Sequence, residues 1–216
     1  MIFQSQLLCR HGFRHAFPSR DERELDVAGC IGVRHIHQVR QVHGTRVALA
    51  PSAEGTEADA VLGRAGSGRI AVGVRVADCV PVLVGDCDTG DVLAIHAGWR
   101  GLVSGIVRAG LEELGSRRVV VAIGPCIGPC CFEVGADVAE KIAQESSAAV
   151  VHRKDSGVVT VDLRLAVRTQ LEALGVDPSR VDDVDGCTKH QGGLFHSFRR
   201  DGIQSGRMLG AIRTNR

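Results

Sequence analysis

Two β-branched runs, Val80–Val84 and Val92–Ile95, stand on either side of a polar stretch from Asp86 to Asp91. Strands favour the first composition and turns the second, so the segment reads as a β-hairpin. A hairpin brings its outer ends together. Cys79 stands just before the first strand and His96 just after the second, so the pairing predicts a thiol beside an imidazole. After His96, a Gly-rich turn from Ala97 to Gly101 opens an apolar pattern at helical spacing (Leu102, Ile106, Ala109, Leu111, Leu114), closed by Gly115. Helix N-termini offer free N–H groups and partial positive charge, and Arg100 would add a bidentate donor there for phosphate or carboxylate. The plainer alternative is a packed Trp99 with a surface arginine beside it.

A chain of 216 residues buries about 70% of its unfolded surface, enough for a core without disulfide staples. Its net charge of +1 supplies no field for nucleic acid or an anionic membrane. With no Tyr and 3% aromatic residues, it lacks the stacking platforms that single-stranded nucleic acid needs. The start, MIFQSQLLCRHGFRH, turns basic too early for a signal peptide, and no run approaches the roughly 20 apolar residues of a membrane span. A cytoplasmic location is expected. The eight cysteines then read as free thiols or ligands.

Residues 1–30 read as loop, with His11 and His15 exposed in it. Alternation from Ile31 to Ala50 suggests two strands broken around Gly44, which follows His43 in the run Gln41-Val42-His43-Gly44. His35 and His37 read as solvent-facing. A short strand over Ala58–Leu62 leads into the hairpin. Arg118–Gly124 has the apolar continuity of a buried strand of parallel-sheet character, and a helix over Val134–Gln144 follows the turn GPCIGPCC. Cys126 with Cys130 or Cys131 invites a zinc reading, but no second cysteine pair stands at finger spacing, and a rigid turn is expected instead. A hairpin turning at Asp155–Gly157 precedes a helix from Leu163 to Leu174 that Asp162 caps. Strands over Val181–Gly186 and Met208–Ile212 complete the pattern. Nothing along the chain marks a linker, so residues 1–216 read as a single domain.

His43, Cys79 and His96 each follow an apolar stretch and border a Gly or Asp turn. A His₂Cys set is a catalytic type of zinc site, leaving one position for water or substrate. The separations, 36 and 17 residues, match no local metal motif. Alternatively Cys79 is a nucleophile with His96 as its base, oriented by Asp78 or another aspartate. Residue types alone equally allow a small buried Cys79 and two satisfied histidines.

The segments QVHG, ADCVPVLV, AIHAGWRG, IGPCIGPCCFEVGADV, Asp162-Leu163, Cys187-Thr188 and FHSFRRDG, with Gly206-Arg207, occur together and in order. Over residues 31–212 the chain resembles the YfiH/YlmD family of laccase-domain proteins, once named multicopper polyphenol oxidases, which includes the mammalian protein FAMIN. That resemblance implies an α/β fold of central mixed β-sheets flanked by helices, YfiH-like. It implies zinc on His43, Cys79 and His96. It also implies a purine nucleoside phosphorylase that takes adenosine, inosine or methylthioadenosine with phosphate, and that deaminates adenosine. Arg100, Arg199 and Arg200 are the candidate phosphate ligands. The alternatives are a copper-dependent polyphenol oxidase, a Cys-dependent hydrolase editing peptidoglycan precursors, and a non-enzymatic relative. Two departures from the family pattern stand out: RHAFPSRDE follows His11-Gly12-Phe13, and Val167 replaces the usual Asn.

Overall fold

The computed structural model describes residues 1–216 except Ser67, Arg117 and Arg216. The hairpin forms as its two β-branched runs dictate. Strands β6 (Val80–Asp86) and β7 (Val92–Ala97) pair antiparallel, with Val80 opposite Ala97 and Pro81 opposite His96. His96 therefore lies inside the second strand rather than just beyond it. On β6, β8 (Val119–Ile123) adds antiparallel; on β7, β4 (Ala60–Gly63) does the same. The edge strands β11 (Val181–Asp183) and β3 (Val47–Ala50) add in parallel, so the sheet runs β11-β8-β6-β7-β4-β3 and is mixed.

Both faces of this sheet are covered, which is why its central strands are apolar without alternation. Val82, Val84, Leu93, Ile95, Val119 and Val121 pack in one core with Leu102, Ile106, Ile142, Ala166 and Leu171 of the helices. Leu83, Val92, Ala94, Val120 and Ala122 face the other way, against Phe13, Phe17, Val72, Val74 and Ile212. The helical layer holds α3 (Trp99–Ser104), α4 (Ile106–Leu114), α5 (Ala136–Gln144) and α6 (Leu163–Ala173). The one helix expected after His96 is two, because Gly105 adopts φ 92°, a left-handed break that only glycine takes without penalty. Asp162 caps α6 by accepting from the Leu165 amide, and the hairpin before it forms as β9 (Val151–Arg153) and β10 (Val159–Val161). Val167 is fully buried in the helical core.

The opposite face is covered by a second, antiparallel sheet ordered β1 (Ile2–Phe3), β2 (His15–Pro18), β12 (Met208–Arg213) and β5 (Ala71–Val76). Here the structure corrects the loop expected over residues 1–30. Ser5 caps α1 (Gln6–Arg10), β2 is buried along its whole length, and α2 (Glu24–Ile31) buries Val27, Ala28 and Ile31 on one face. His15, expected to be exposed, is fully buried. Of the two strands expected over 31–50 only β3 forms; α2 takes the beginning and single bridges at His37 and Arg40 tie down the rest. No helix among the described residues is long and apolar enough to cross a membrane.

Candidate metal centre

Strand periodicity puts His96 on the face of Val92 and Ala94, and the β6–β7 register carried one step past Val80–Ala97 sets Cys79 against Gly98. Gly98 lets the groups converge there. A Cβ at that position would lie 2.9 Å from His43 Cδ2 and 3.1 Å from Cys79 Sγ. His43 arrives on the loop between α2 and β3 with φ 61°, and its Nε2 lies 3.9 Å from Cys79 Sγ. The His43 and His96 rings meet edge to face with centroids 4.8 Å apart. One ligand atom each from His43, Cys79 and His96 lies within 4.8 Å of the other two.

What holds them is a residue absent from the sequence reading, Asp59. It is fully buried at the entry to β4. Its carboxylate accepts the amides of Val42 (3.2 Å), His43 (2.9 Å) and Gly44 (2.7 Å) and bonds His96 Nδ1 at 2.8 Å. Its own carbonyl accepts the His96 amide at 2.7 Å. One carboxylate therefore fixes the loop that carries one imidazole and the orientation of the other. Burial alone would raise the Asp59 carboxyl, yet the His96 bond and the three amides outweigh it and hold the group below the usual carboxylate range. The available signal was a charge set directly against the apolar run Ala60-Val61-Leu62.

Burial also works against ionising Cys79, but hydrogen bonds and charge from His43 and His96 bring the thiol down to about 7. For His96, burial pulls down while Asp59 and Cys79 push harder, and the imidazole rises to about 9. Each group thus favours the charged form of the other, the thiol being pulled down and the imidazole pushed up. The donor set fits a divalent ion: a soft sulfur, two ring nitrogens, and a carboxylate on His96 Nδ1 that leaves Nε2 as the ligating atom. A cation held there would need His96 neutral and Cys79 ionised, which would tie affinity to pH.

Asp78, beside Cys79, adopts φ 89°; it and His43 are the non-glycine residues with positive φ among those described. Strained backbone of this kind persists where its surroundings hold it. Thr188 Oγ1 donates to Asp78 Oδ1 and the Arg199 amide donates to Oδ2, both at 2.6 Å, while the Ile127 amide donates to its carbonyl at 2.9 Å. Asp78 thus orients the loop that presents Cys79 rather than His96. The three candidate arginines part company. Arg100 is exposed and stacks over Trp99 at 4.6 Å, as the plainer alternative had it. Arg199 sits at the start of α7 (Phe198–Asp201), lies 5.2 Å over the Phe132 ring, and spends one donor on the Glu133 carbonyl. Arg200 spends all of its N–H donors on Asp201 and the carbonyls of Thr188, Lys189 and Phe195, so it clamps a loop and has none left for phosphate.

Residues 20–215 match the family described as multi-copper polyphenol oxidoreductase laccase. Among curated proteins the chain is 38% identical over 151 residues to "Adenosine deaminase RL5" from an unknown prokaryotic organism, covering 66% of this chain and 58% of that protein. It is 40% identical over 148 residues to a purine nucleoside phosphorylase of Bacteroides thetaiotaomicron, covering 64% and 55%. A purine nucleoside phosphorylase of Streptomyces coelicolor is 35% identical, with 81% and 73% covered. The matched region thus spans little more than half the length of the first two relatives. In structure, the chain superposes on YlmD from Geobacillus stearothermophilus with TM-score 0.79 and 26% identity, covering 94% of this chain and 92% of that one.

Proposed function

The chain belongs to the multi-copper polyphenol oxidoreductase laccase family, and from that premise we propose that it is a zinc-dependent purine nucleoside phosphorylase that also deaminates adenosine. The observation that carries this reading is the convergence of His43, Cys79 and His96 around Gly98, braced by the buried Asp59. The names of the relatives supply the substrate class.

In phosphorolysis a phosphate oxygen bonds to the anomeric carbon as the bond from that carbon to the purine nitrogen breaks; the products are the free purine and ribose 1-phosphate. In deamination water replaces the exocyclic amine and ammonia leaves. Zinc, when bound, would supply Lewis-acid chemistry at the reacting oxygen. His43, Cys79 and His96 would hold it. Asp59 keeps the His96 proton on Nδ1, and so keeps Nε2 a lone-pair donor. Arg199, tied by its amide to the Asp78 loop and with guanidinium donors to spare, is the cation proposed for phosphate. Eight cysteines without a disulfide among them support work in a reducing cytoplasm.

Incubating zinc-loaded protein with adenosine and phosphate should release adenine and ribose 1-phosphate, with inosine as a second product, followed by chromatography. Cys79→Ala should abolish both. Full turnover by that variant would end this reading.

A copper oxidase is a second reading, because His₂Cys sets also serve copper. Among the described residues, however, the other cluster of three or more donors is made of thiols alone, and beyond the first site His35 and His37 make a pair without a third donor. Stoichiometric copper together with phenol oxidation would reverse the preference.

A further inference from the structure

The turn after β8 carries three of the chain's thiols, and the fold brings a partner to them. Cys126 forms a single parallel bridge with Cys187; the Thr188 amide donates to the Cys126 carbonyl at 3.0 Å and the Cys126 amide to the Gly186 carbonyl at 3.3 Å. This lays the 186–188 segment along the turn. Within the turn the amides of Cys131 and Phe132 both reach the Gly128 carbonyl, which folds Cys130 and Cys131 back toward Cys187. Cys130 Sγ ends 3.4 Å from Cys131 Sγ and 3.5 Å from Cys187 Sγ. No second pair stands at finger spacing, but the fold brings one further thiol from 57 positions beyond Cys130.

We propose that Cys130, Cys131 and Cys187 form a second metal site, a three-thiolate cradle for a thiophilic cation of the zinc type. The spacing carries it. Zinc sits about 2.3 Å from each thiolate, so the edge of a tetrahedral site is about 3.8 Å; the two edges at Cys130 are close to this and well beyond the roughly 2.0 Å of a disulfide, and all three sulfurs lie within 4.8 Å of one another. The backbone is arranged for a charged sulfur: the Gly128 amide donates to Cys187 Sγ at 3.3 Å. A cavity of about 190 Å³ adjoins Cys130 and Cys187 and gives a fourth ligand room. Asp162, Arg164 and Asp185 line the same cavity, with Arg164 paired to Asp185 at 2.7 Å, so the thiols face a wall of polar groups. Cys126 stays outside the cluster, buried, with its sulfur 4.0 Å from Arg164. Thr188, next to Cys187, bonds the Asp78 carboxylate next to Cys79, so one hydrogen bond joins the two sites.

The test uses the full chain, reduced and stripped of metal, carrying Cys79→Ser so that the first site cannot contribute its thiolate. After zinc loading and gel filtration, elemental analysis should find about one zinc per chain. Zinc should slow alkylation of Cys130, Cys131 and Cys187 at least about tenfold, read by mass spectrometry, and leave the exposed Cys9 and Cys30 unchanged. This second readout needs no substitution within the cluster. Adding Cys130→Ser and Cys187→Ser should remove the zinc. Alkylation rates unaltered by zinc, or a disulfide joining two of the three thiols in zinc-loaded protein, would overturn the proposal. Because all these measurements are made without Cys79, they stand whether or not the nucleoside reading survives.

Discussion

His15 and His96 are both shut away from solvent, 0% and 3% exposed, and each keeps a close polar partner at every bonded ring nitrogen. They do opposite things. His15 accepts the Ser5 amide at Nε2 (2.7 Å) and holds the Phe13 carbonyl with Nδ1 (3.1 Å), so both nitrogens are spent on backbone. His96 gives Nδ1 to the Asp59 carboxylate and its other ring nitrogen to the Cys79 thiol, beside His43, rather than to backbone. Burial is common to both; the carboxylate and the nitrogen turned to a thiol are not. A buried histidine becomes a ligand when the fold satisfies one side of the ring and turns the other to a fellow donor.

The comparison breaks most completely at Asp59. Asp59→Ala strands a buried imidazole and three amides, at a cost of about 3–5 kcal/mol as for other broken buried charge pairs. Urea unfolding should show the loss. Asp59→Asn, of equal size, should fold better yet bind zinc about 10–100-fold more weakly, because the carboxylate no longer fixes His96. Equal zinc affinity in the Asp59→Asn variant and the wild-type protein, measured by competition with a chelator, would mean that the brace has no part in the site. A smaller effect is expected from Gly98→Ala. The backbone there, φ −76°, tolerates alanine, so only the added methyl matters. It meets His43 at 2.9 Å and Cys79 at 3.1 Å, and such overpacking costs about 1–3 kcal/mol. The loss should fall on zinc binding while amide exchange at Ser5, beside His15, stays unchanged.

The hairpin and the strands around it were legible because β-branched runs and turn residues are local signals, and so was the meeting of Cys79 with His96. Joining His43 to them took the family resemblance, since 36 residues separate it from Cys79 and no periodicity spans that gap. Asp59 was illegible: a carboxylate before a strand looks like a solvated turn until the loop it receives is in place. The N-terminal region failed for a related reason. Gly12 and Pro18 argue against structure locally, yet Pro18 only ends a strand, opposite Ile2 at the sheet's edge pair, and tertiary burial of Leu8, Phe13 and Phe17 decides the rest. The thiol cluster was half visible, as a crowded turn whose third member follows the neighbouring strand β11.

The smallest predicted effect tests the other half of the comparison. Burial lowers the His15 pKa from 6.5, outweighing the Phe13 carbonyl bond and the charge of Asp182, which both raise it. Folded His15 therefore stays neutral where the unfolded chain takes up a proton. The unfolded state binds more protons in that window, so stability is complete above about pH 6.5 and is lost as pH falls through it toward the lower folded value. His15→Gln removes the titrating group and gives up about 1 kcal/mol of hydrogen bonding at neutral pH. The gap between wild type and variant should then narrow as urea midpoints are taken downward from about pH 7.5 to about 5.5. A gap that stays constant would show that Ser5 and Phe13 do not hold this ring neutral, and the contrast with His96 would reduce to the presence of Asp59 alone.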